Sequence, residues 1–380
     1  MHSMKFIVLI GALVASIQIH ASEIHIGLFD KDEVKSLLVT YAKGSYHVVA
    51  GGDTLFQLAE DAIVRLSVSD SLIKVRSFEK VFGSFREIMF VTNEKTNNLR
   101  VKSLIPEIKT RKFDGNLQVT IKSETLSVVN VVDMERYVSN VVKWESGKER
   151  TLEYYKVQSI ICRTYALSNI NKHINDGFQM CDKVHCQVYK GQSKGDAKII
   201  QAVISTRKLV IVDNNVELIL ATFHSNCGGQ TMNSEDVWGG HRSYLRSVVD
   251  TYCINQSNSN WEKRIDFGEW KKYLTDNQIN KDQINVFAQS ERKVHYNDEH
   301  TFRLTNIRKD WKLRSTFFTV SRDKREVVLN GKGYGHGVGL CQEGAIHMAE
   351  LGFSFKKILE FYYNNVKLVS LKSLGFFKEE

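Results

Sequence analysis

Proline is nearly absent from this chain, since Pro106 is the single one among 380 residues. Its scarcity excludes the proline-rich linkers that separate domains in many modular proteins. The chain has no fixed-period repeat and no low-complexity tract, which argues against repeat architectures. After the first 21 residues no apolar run reaches transmembrane length. Lys and Arg are scattered, with no basic block or interleaved aromatic ladder, so nucleic acid is not expected as a partner.

The composition is ordinary for a globular protein, with 42% hydrophobic and 25% charged residues. The length allows two or three domains and a hydrophobic core large enough to be stable without disulfide bonds or metal ions. The net charge of +9 falls to +8 if residues 1–21 are removed, because they contain one lysine and no acid. A basic protein suits an anionic partner, such as the cell wall or a membrane surface. A solvated surface with no partner is the alternative.

The first 21 residues are typical of a secretion signal. Lys5 precedes an apolar run over residues 6–19, and Ala21 is a suitable cleavage position. The run is too short to span a bilayer comfortably. We therefore expect residues 1–21 to be a signal peptide and the chain to work in the periplasm or cell-wall compartment, with no transmembrane segment after its removal. An uncleaved anchor or a buried strand is the alternative.

Periodicity predicts an α+β fold. Residues 22–110 are expected to form a β-rich N-terminal region, and polar-apolar alternation continues to about residue 130. Residues 111–370 are expected to form a mixed α/β domain with helices at its start and at its C-terminus. A face with Tyr154, Val157, Ile161 and Tyr165 predicts a helix over roughly 151–173, ended by Gly177. Residues 255–300 are polar and Asn-rich, and we expect a peripheral insertion there.

Two helices are expected to close the chain. The first begins near Gln342 and stops at Gly352, and the second begins after Ser354, a good N-cap residue. Strand-like runs precede them at residues 209–212, 218–223 and 313–330.

Four segments have unusual residue strings. The first is YVSNVVKWES at residues 137–146, and the second is KVQSIICRTYAL at 156–167. The third is FHSNCGGQT at 223–231, followed by VWGG at 237–240 and YLRSV at 244–248. The fourth is GYGHGVGLCQEGA at 333–345.

Together the four segments resemble the SpoIID/LytB family, that of stage II sporulation protein D and the amidase enhancer. Their order and spacing match over roughly residues 110–370, and the strands from Glu23 fit the family's upstream region. Two departures are present. Cys162 stands where family members often have alanine, and Trp144 precedes the glutamate of the first segment.

The resemblance implies a lytic transglycosylase acting on peptidoglycan glycan strands, with Glu145 as the catalytic acid/base. A glycosidase usually needs two carboxylates, but one is enough when the muramic 6-hydroxyl closes an anhydro ring and no water is activated. Such an acid needs a raised pKa, which apolar surroundings provide. The alternative is a surface carboxylate, and Glu149 and Glu153 are nearby rivals.

The resemblance also implies that the other segments line a substrate cleft. No G-x-S-x-G elbow surrounds Ser225, which argues against nucleophilic serine chemistry. The glycines of residues 333–339 do not match a phosphate loop, and they fit either backbone contact with a sugar chain or a tight turn. His336 contacts the substrate or caps that loop, and Arg163 contacts the substrate or serves as a structural donor. The candidate substrate-binding residues are Arg163, Tyr165, His224, Ser225, Gly228, Gly229, Tyr334, His336, Gly337 and Gln342.

A candidate metal site consists of His173, Cys181, His185 and Cys186. Two thiolates and two imidazoles satisfy tetrahedral zinc. The resemblance implies zinc near this region, with similar but not identical spacing. A Cys181–Cys186 disulfide and free thiols are the alternatives.

The remaining four cysteines lie elsewhere in the chain. Cys227 and Cys253 are a disulfide candidate, since an oxidising compartment permits the bond. Cys162 and Cys341 lie on apolar faces, and we expect them to be buried thiols.

The leading hypothesis is a lytic transglycosylase that needs no cofactor for its chemistry, with any zinc serving the structure. The first alternative is a noncatalytic amidase enhancer that binds glycan and activates a cell-wall amidase. The second is a structural wall-binding protein. The expected partner is the peptidoglycan glycan strand in each case, joined by an amidase under the first alternative.

Overall fold

Strands dominate the first part of the chain. The computed structural model describes residues 23–58, 60–192, 196–279, 284–297, 299 and 301–375, and the expected signal peptide, residues 1–21, lies outside these ranges. The strands are β1 Glu23–Leu28, β2 Ser36–Lys43, β3 Tyr46–Ala50, β4 Asp53–Leu58, β5 Ile63–Ser69, β6 Leu72–Arg76, β7 Val81–Phe85, β8 Glu87–Val91, β9 Asn98–Ile105, β10 Arg111–Asp114, β11 Asn116–Lys122 and β12 Thr125–Asp133.

Two sheets share this region. One has the order β13-β1-β12-β11-β8-β3-β4, where β13 is Met180–Cys181 from later in the chain, and the other has the order β10-β9-β2-β5-β6-β7. Alternate residues are buried, as with Leu117 and Val119 of β11, which is the period of half-buried strands. The prediction of a β-rich N-terminal region is confirmed. The sheets cross the boundary predicted at residue 110, because β11 pairs with β8 and β12 pairs with β1.

Helices follow directly after the two sheets, which confirms the α+β prediction. The helices are α1 Met134–Ser146, α2 Leu152–Ser168, α3 Ala197–Ser205, α4 Ser234–Trp238, α5 Phe267–Asp276, α6 Leu304–Asp310, α7 Gln342–Glu350 and α8 Phe355–Tyr362. Short 3-10 helices lie at Ile174–Asp176, Thr251–Cys253 and Leu371–Leu374. Among the described residues no helix combines the length and apolar character that crossing a bilayer requires.

The helix predicted over residues 151–173 is shorter than expected, since α2 ends at Ser168. Asn169 ends it, because both its backbone N–H and its side-chain amide donate to the carbonyl of Tyr165. Asn is a common helix-ending residue. The chain then enters the 3-10 helix Ile174–Asp176 before reaching Gly177. The sequence periodicity therefore predicted the buried face correctly but placed the end of the helix too late.

A separate small unit occupies the region predicted as an insertion, and it is larger than predicted. Strands β16 Asn260–Asp266, β17 Phe317–Asp323 and β18 Glu326–Lys332 form a three-stranded sheet in the order β16-β18-β17. With α5 and α6 they enclose their own hydrophobic core around Trp270 and Leu304. The strand-like run after residue 313 thus belongs to this unit, which extends past the predicted limit of residue 300.

The remaining strands bring distant segments together. They are β14 Leu209–Val212, β15 Phe223–His224, β19 Leu340–Cys341 and β20 Lys367–Ser370. Strand β15 pairs in parallel with β19, so the third and fourth sequence segments lie side by side. The two closing helices begin where predicted, at Gln342 and, with Ser354 as the N-cap, at Phe355.

Candidate functional site

Glu145 lies in the last turn of α1. The helix begins because the carboxylate of Asp133 accepts the backbone N–H groups of residues 135 and 136. Its inner face packs Tyr137, Val138 and Val141 into the core. It ends at Gly147, whose φ of 73° suits glycine. The first segment is therefore a helix whose last turn presents Glu145 at the edge of the core.

The surroundings of the Glu145 carboxyl group favour its protonated form. The side chain is half-buried, and burial raises its pKa. The negative pole at the end of a helix acts in the same direction. The backbone N–H of Val188 donates to Oε1 of Glu145 at 2.9 Å and opposes the shift. The result is a half-buried carboxyl group that is held on one oxygen and has a raised pKa.

Gln342 joins the fourth segment to the first. Its Nε2 donates to the backbone carbonyl of Glu145 at 3.2 Å. Because β19 precedes Gln342 and pairs with β15, the third segment is held at the same place. The structure therefore brings the first, third and fourth segments together around the end of α1, as the sequence predicts.

Arg163 does not face a cleft, contrary to the prediction that it binds substrate. Its side chain is 0% exposed. The guanidinium group forms two hydrogen bonds to the carboxylate of Glu135 at 3.2 and 2.5 Å, and a third to the carbonyl of Leu209. All its directional contacts therefore join α1, α2 and β14, which corresponds to the structural alternative.

Tyr165 lies beside two of the predicted metal ligands. Its half-buried ring is next to Cys181 and Cys186, and burial raises its pKa to about 12. Substrate binding by Tyr165 stays a prediction.

Two histidines meet where the third and fourth segments touch, with ring centroids 5.3 Å apart. His336 uses both ring nitrogens: Nδ1 accepts the N–H of Val338, and Nε2 donates to the carbonyl of Phe223. This corresponds to the loop-capping alternative. His224 is buried, and its Nδ1 donates to the carbonyl of Val338. Burial lowers the pKa of both rings, that of His336 to about 4.

Most glycines of the third and fourth segments lie where neighbouring residues leave no room for a Cβ atom. A Cβ on Gly335, whose φ is 123°, would lie 2.7 Å from Cβ of His224. A Cβ on Gly228 would lie 2.7 Å from that of Lys332, and one on Gly337 would meet the guanidinium of Arg292. This favours the tight-turn alternative. Gly229 is the exception, since its Cβ would have its nearest neighbour at 3.8 Å.

Exposed groups remain around this junction. Tyr334 is 45% exposed, and Ser225 is half-buried with its Oγ accepting from Asn258. Trp238 is 48% exposed and its ring lies 5.0 Å from that of His336. Trp144, next to Glu145 in sequence, is 43% exposed. Exposed aromatic rings of this kind suit the apolar faces of sugar rings. One face of the Trp144 ring carries Lys190, with Nζ 4.7 Å from the centroid, and one face of the Tyr334 ring carries Arg314, with Cζ at 5.5 Å.

The predicted metal ligands come together as expected. One ligand atom from each of His173, Cys181, His185 and Cys186 lies within 4.8 Å of the others. Sulfur-nitrogen distances are 3.4 Å for Cys186 to His173 Nε2 and 3.8 Å for Cys181 to His185 Nδ1. Ligands of tetrahedral zinc at about 2.1 and 2.3 Å place sulfur and nitrogen about 3.6 Å apart. The residues therefore fit zinc.

We call His173, Cys181, His185 and Cys186 the surface cluster. A carboxylate next to it supports one of its histidines. Nδ1 of His173 lies 3.0 Å from Oδ2 of Asp176, which leaves Nε2 free to face the other ligands. Zinc-binding histidines usually have such a partner. The cluster is two residues away from Val188, whose N–H holds Glu145. The surface cluster therefore lies on the same loop as the backbone amide that holds the candidate acid.

Comparison with known proteins gives the family. The sequence model described as Stage II sporulation protein matches residues 122–212. An uncharacterized protein of Brachyspira hyodysenteriae is 31% identical over 277 residues, covering 68% of this chain and 72% of that protein. Stage II sporulation protein D of Bacillus amyloliquefaciens is 27% identical over 259 residues, covering 63% and 75%. The amidase enhancer of Bacillus subtilis is 24% identical over 377 residues, covering 77% and 52%.

The chain belongs to the SpoIID/LytB family. The part matched by the family model contains α1, α2, Glu145 and the surface cluster. The third and fourth segments of this SpoIID/LytB chain lie beyond that part, and the structure attaches them to it through Gln342.

Two residues of the site were missed from the sequence. Val188 acts through its backbone amide, for which a side-chain motif contains no signal. Trp238 could have been found from the sequence, since its Trp-Gly-Gly string directly follows the third segment. An exposed tryptophan beside a glycine-rich loop is a candidate for ligand contact.

Proposed function

We propose that this protein is a lytic transglycosylase that cleaves peptidoglycan glycan strands, with Glu145 as its acid/base. One observation carries the proposal. Glu145 is a half-buried carboxyl with a raised pKa, held by Val188 and located where three of the four segments meet. Family membership supports a role at the cell wall, and the signal-like residues 1–21 support export to it.

The chemistry needs one carboxyl group. Protonated Glu145 donates its proton to the glycosidic oxygen after the muramic residue, and the bond from that oxygen to the anomeric carbon breaks. The resulting carboxylate then takes the proton of the 6-hydroxyl of the same residue, whose oxygen bonds to the anomeric carbon. The products are a 1,6-anhydro-muramic end and a free hydroxyl end, and the acid is regenerated. No metal takes part in these steps.

Three exposed aromatic side chains in the segments around the acid would bind the strand. Trp144 precedes Glu145, and Trp238 and Tyr334 belong to the neighbouring segments. Stacking on them would orient successive sugars, and positioning of this kind supplies much of the rate gain in enzymes.

Product analysis tests the proposal. Purified strands incubated with the full chain should yield anhydro-muramic ends by mass spectrometry. Glu145→Gln should lower the cleavage rate roughly a hundredfold or more, because it cannot donate the proton. Glu149→Gln is the matched control, since Glu149 is exposed on the turn after α1. A Glu145→Gln chain that cleaves at the wild-type rate would remove Glu145 from the mechanism.

An amidase enhancer is the second candidate, and the match to the Bacillus subtilis protein of that name favours it. Under this alternative the chain binds glycan and stimulates an amidase without cutting the strand itself. The same digests distinguish the two functions. Intact strands together with a faster amidase reaction would establish the enhancer, and Glu145→Gln would then have no effect.

We also propose that the surface cluster binds structural zinc. His173, Cys181, His185 and Cys186 would hold the ion and so fix the loop that contains Val188. Elemental analysis of protein purified without chelator should find zinc, and Cys186→Ser should lose it. A mapped Cys181–Cys186 disulfide would disprove the site.

A further inference from the structure

A second group of potential metal ligands lies inside the molecule. It consists of Cys227, Asp250, Cys253 and Cys341, each 0% exposed. One ligand atom from each lies within 4.8 Å of the others. We call these four residues the buried cluster. It shares no residue with the surface cluster, and the mechanism does not use it.

The sulfur atoms of the buried cluster are close but not bonded. Cys227 and Cys253 were a disulfide candidate from the sequence, but their Sγ atoms are 3.4 Å apart and all six cysteines are free thiols. A disulfide needs about 2.05 Å. Thiolates on tetrahedral zinc, each about 2.3 Å from the ion, lie about 3.8 Å apart. The observed spacing is therefore closer to shared coordination of an ion.

A buried carboxylate completes the set. Oδ2 of Asp250 lies 3.3 Å from Sγ of Cys227 and accepts the hydroxyl of Tyr362 at 2.9 Å. Within the described residues no Lys or Arg nitrogen lies within ion-pair distance of Asp250. Burying a carboxylate without a cation is costly, so Asp250 lacks a positive partner that a metal ion would supply.

Backbone hydrogen bonds hold the sulfur of Cys341. It accepts two backbone N–H groups, from Cys227 at 3.3 Å and from Gly344 at 3.4 Å. It does so as the N-cap of α7. Both contacts position this sulfur beside the other three ligand atoms.

A nearby cation limits the charge that the site would carry. Arg292 donates to the carbonyl of Cys227 at 2.6 Å and to that of Gln230 at 2.7 Å. Three thiolates and one carboxylate around a divalent ion have a net charge of about −2, which this guanidinium partly offsets. Both hydrogen bonds also fix the backbone of the loop that contains Cys227.

From these contacts we infer that Cys227, Asp250, Cys253 and Cys341 form a second, buried zinc site. Soft thiolate ligands in a tetrahedral set select zinc among the common divalent ions. Closing the ligand atoms onto the ion requires a movement of about 1 Å at the widest pair. The ion would join three separate segments: the loop after β15, the 3-10 helix Thr251–Cys253 and the start of α7.

Zinc counting in the full chain tests the inference. Cys181→Ser/Cys186→Ser removes the surface cluster and leaves the buried cluster intact, so native mass spectrometry should find one zinc per chain in this variant. Cobalt substitution should then give the strong visible bands of tetrahedral thiolate coordination. Cys227→Ser/Cys253→Ser should retain only the ion of the surface cluster.

Two outcomes would overturn the buried site. The first is the surface-cluster variant, folded and purified without chelator, containing no zinc. The second is a Cys227–Cys253 disulfide in the exported protein, mapped by peptide analysis without reduction. Neither result depends on folding of the buried-cluster variant, and neither measures strand cleavage. The transglycosylase proposal therefore stands or falls separately.

Discussion

Replacing Arg163 by Met distinguishes a structural role from substrate binding. The substitution keeps apolar volume but removes three hydrogen bonds, two to Glu135 and one to the carbonyl of Leu209. Breaking a buried ion pair from one side typically costs 3–5 kcal/mol, since the other charge stays behind. Glu135 is 18% exposed and keeps the N–H of Lys208. We therefore expect the free energy of unfolding to fall by about 3 kcal/mol, the lower end of that range.

Urea unfolding followed by circular dichroism measures the loss. Lys272→Met is the control, because Lys272 and its partner Asp276, 2.7 Å apart, are both exposed. Removing such an exposed pair should cost less than about 1 kcal/mol. Changing Glu135 to Leu in the Arg163→Met background should recover part of the stability, since no unpaired charge remains. A variant of wild-type stability that no longer binds glycan strands would refute this reasoning and restore Arg163 as a substrate ligand.

Three further predictions concern the acid, the strand and the surface cluster. Cleavage needs protonated Glu145, whose pKa is raised by burial, so kcat/KM should fall as the pH rises through that pKa. Val188→Pro removes the N–H that favours the carboxylate and should move this fall to higher pH. Val188→Ala keeps the amide and should leave the pH profile unchanged. Peptide-stripped strands have a free carboxylate on each muramic residue and should bind a chain of net charge +8 more tightly than intact strands. This difference in affinity should shrink as the salt concentration rises, since charges are screened beyond about 8 Å at physiological ionic strength. Equal affinity for both strands at all salt concentrations would contradict the prediction. Asp176→Asn should weaken zinc binding by the surface cluster by about 10–100-fold in a chelator competition. Asp70→Asn, on an exposed turn, is the control and should leave the zinc affinity unchanged. Equal zinc affinities for the two variants would show that Asp176 does not support His173.

Local patterns predicted the parts of the fold that local physics determines. Alternation located the early strands, and Ser354 marked the start of α8, because burial period and capping are properties of neighbouring residues. The end of α2 depended on one side-chain hydrogen bond of Asn169, which periodicity does not contain. The limits of the small unit were missed because its core combines residues from both sides of a polar stretch.

The site was predictable only in part, since the sequence indicated Glu145 and Gln342 but missed Val188 and included the buried Arg163. The order of the four segments indicated which residues meet. Whether a residue faces the substrate or the interior depends on partners far away in sequence. Arg163 is paired with Glu135, and His336 is bonded to Phe223. Cys341 is a buried thiol, as predicted, but its place beside Cys227 and Cys253 depends on the fold and was not predicted.

The small unit of β16, β17 and β18 has an evolutionary consequence. Asn260 and Lys332, at its two ends, are directly paired across adjacent strands, so the chain leaves and returns at nearly the same point. Segments with adjoining ends can be exchanged or deleted with little disturbance of the host fold. In this chain such an exchange would also remove Arg292, which binds the loop of Cys227 from within the unit. A relative that lacks the unit would have to stabilise that loop by other means, so the presence of the unit and the sequence of the loop are expected to vary together.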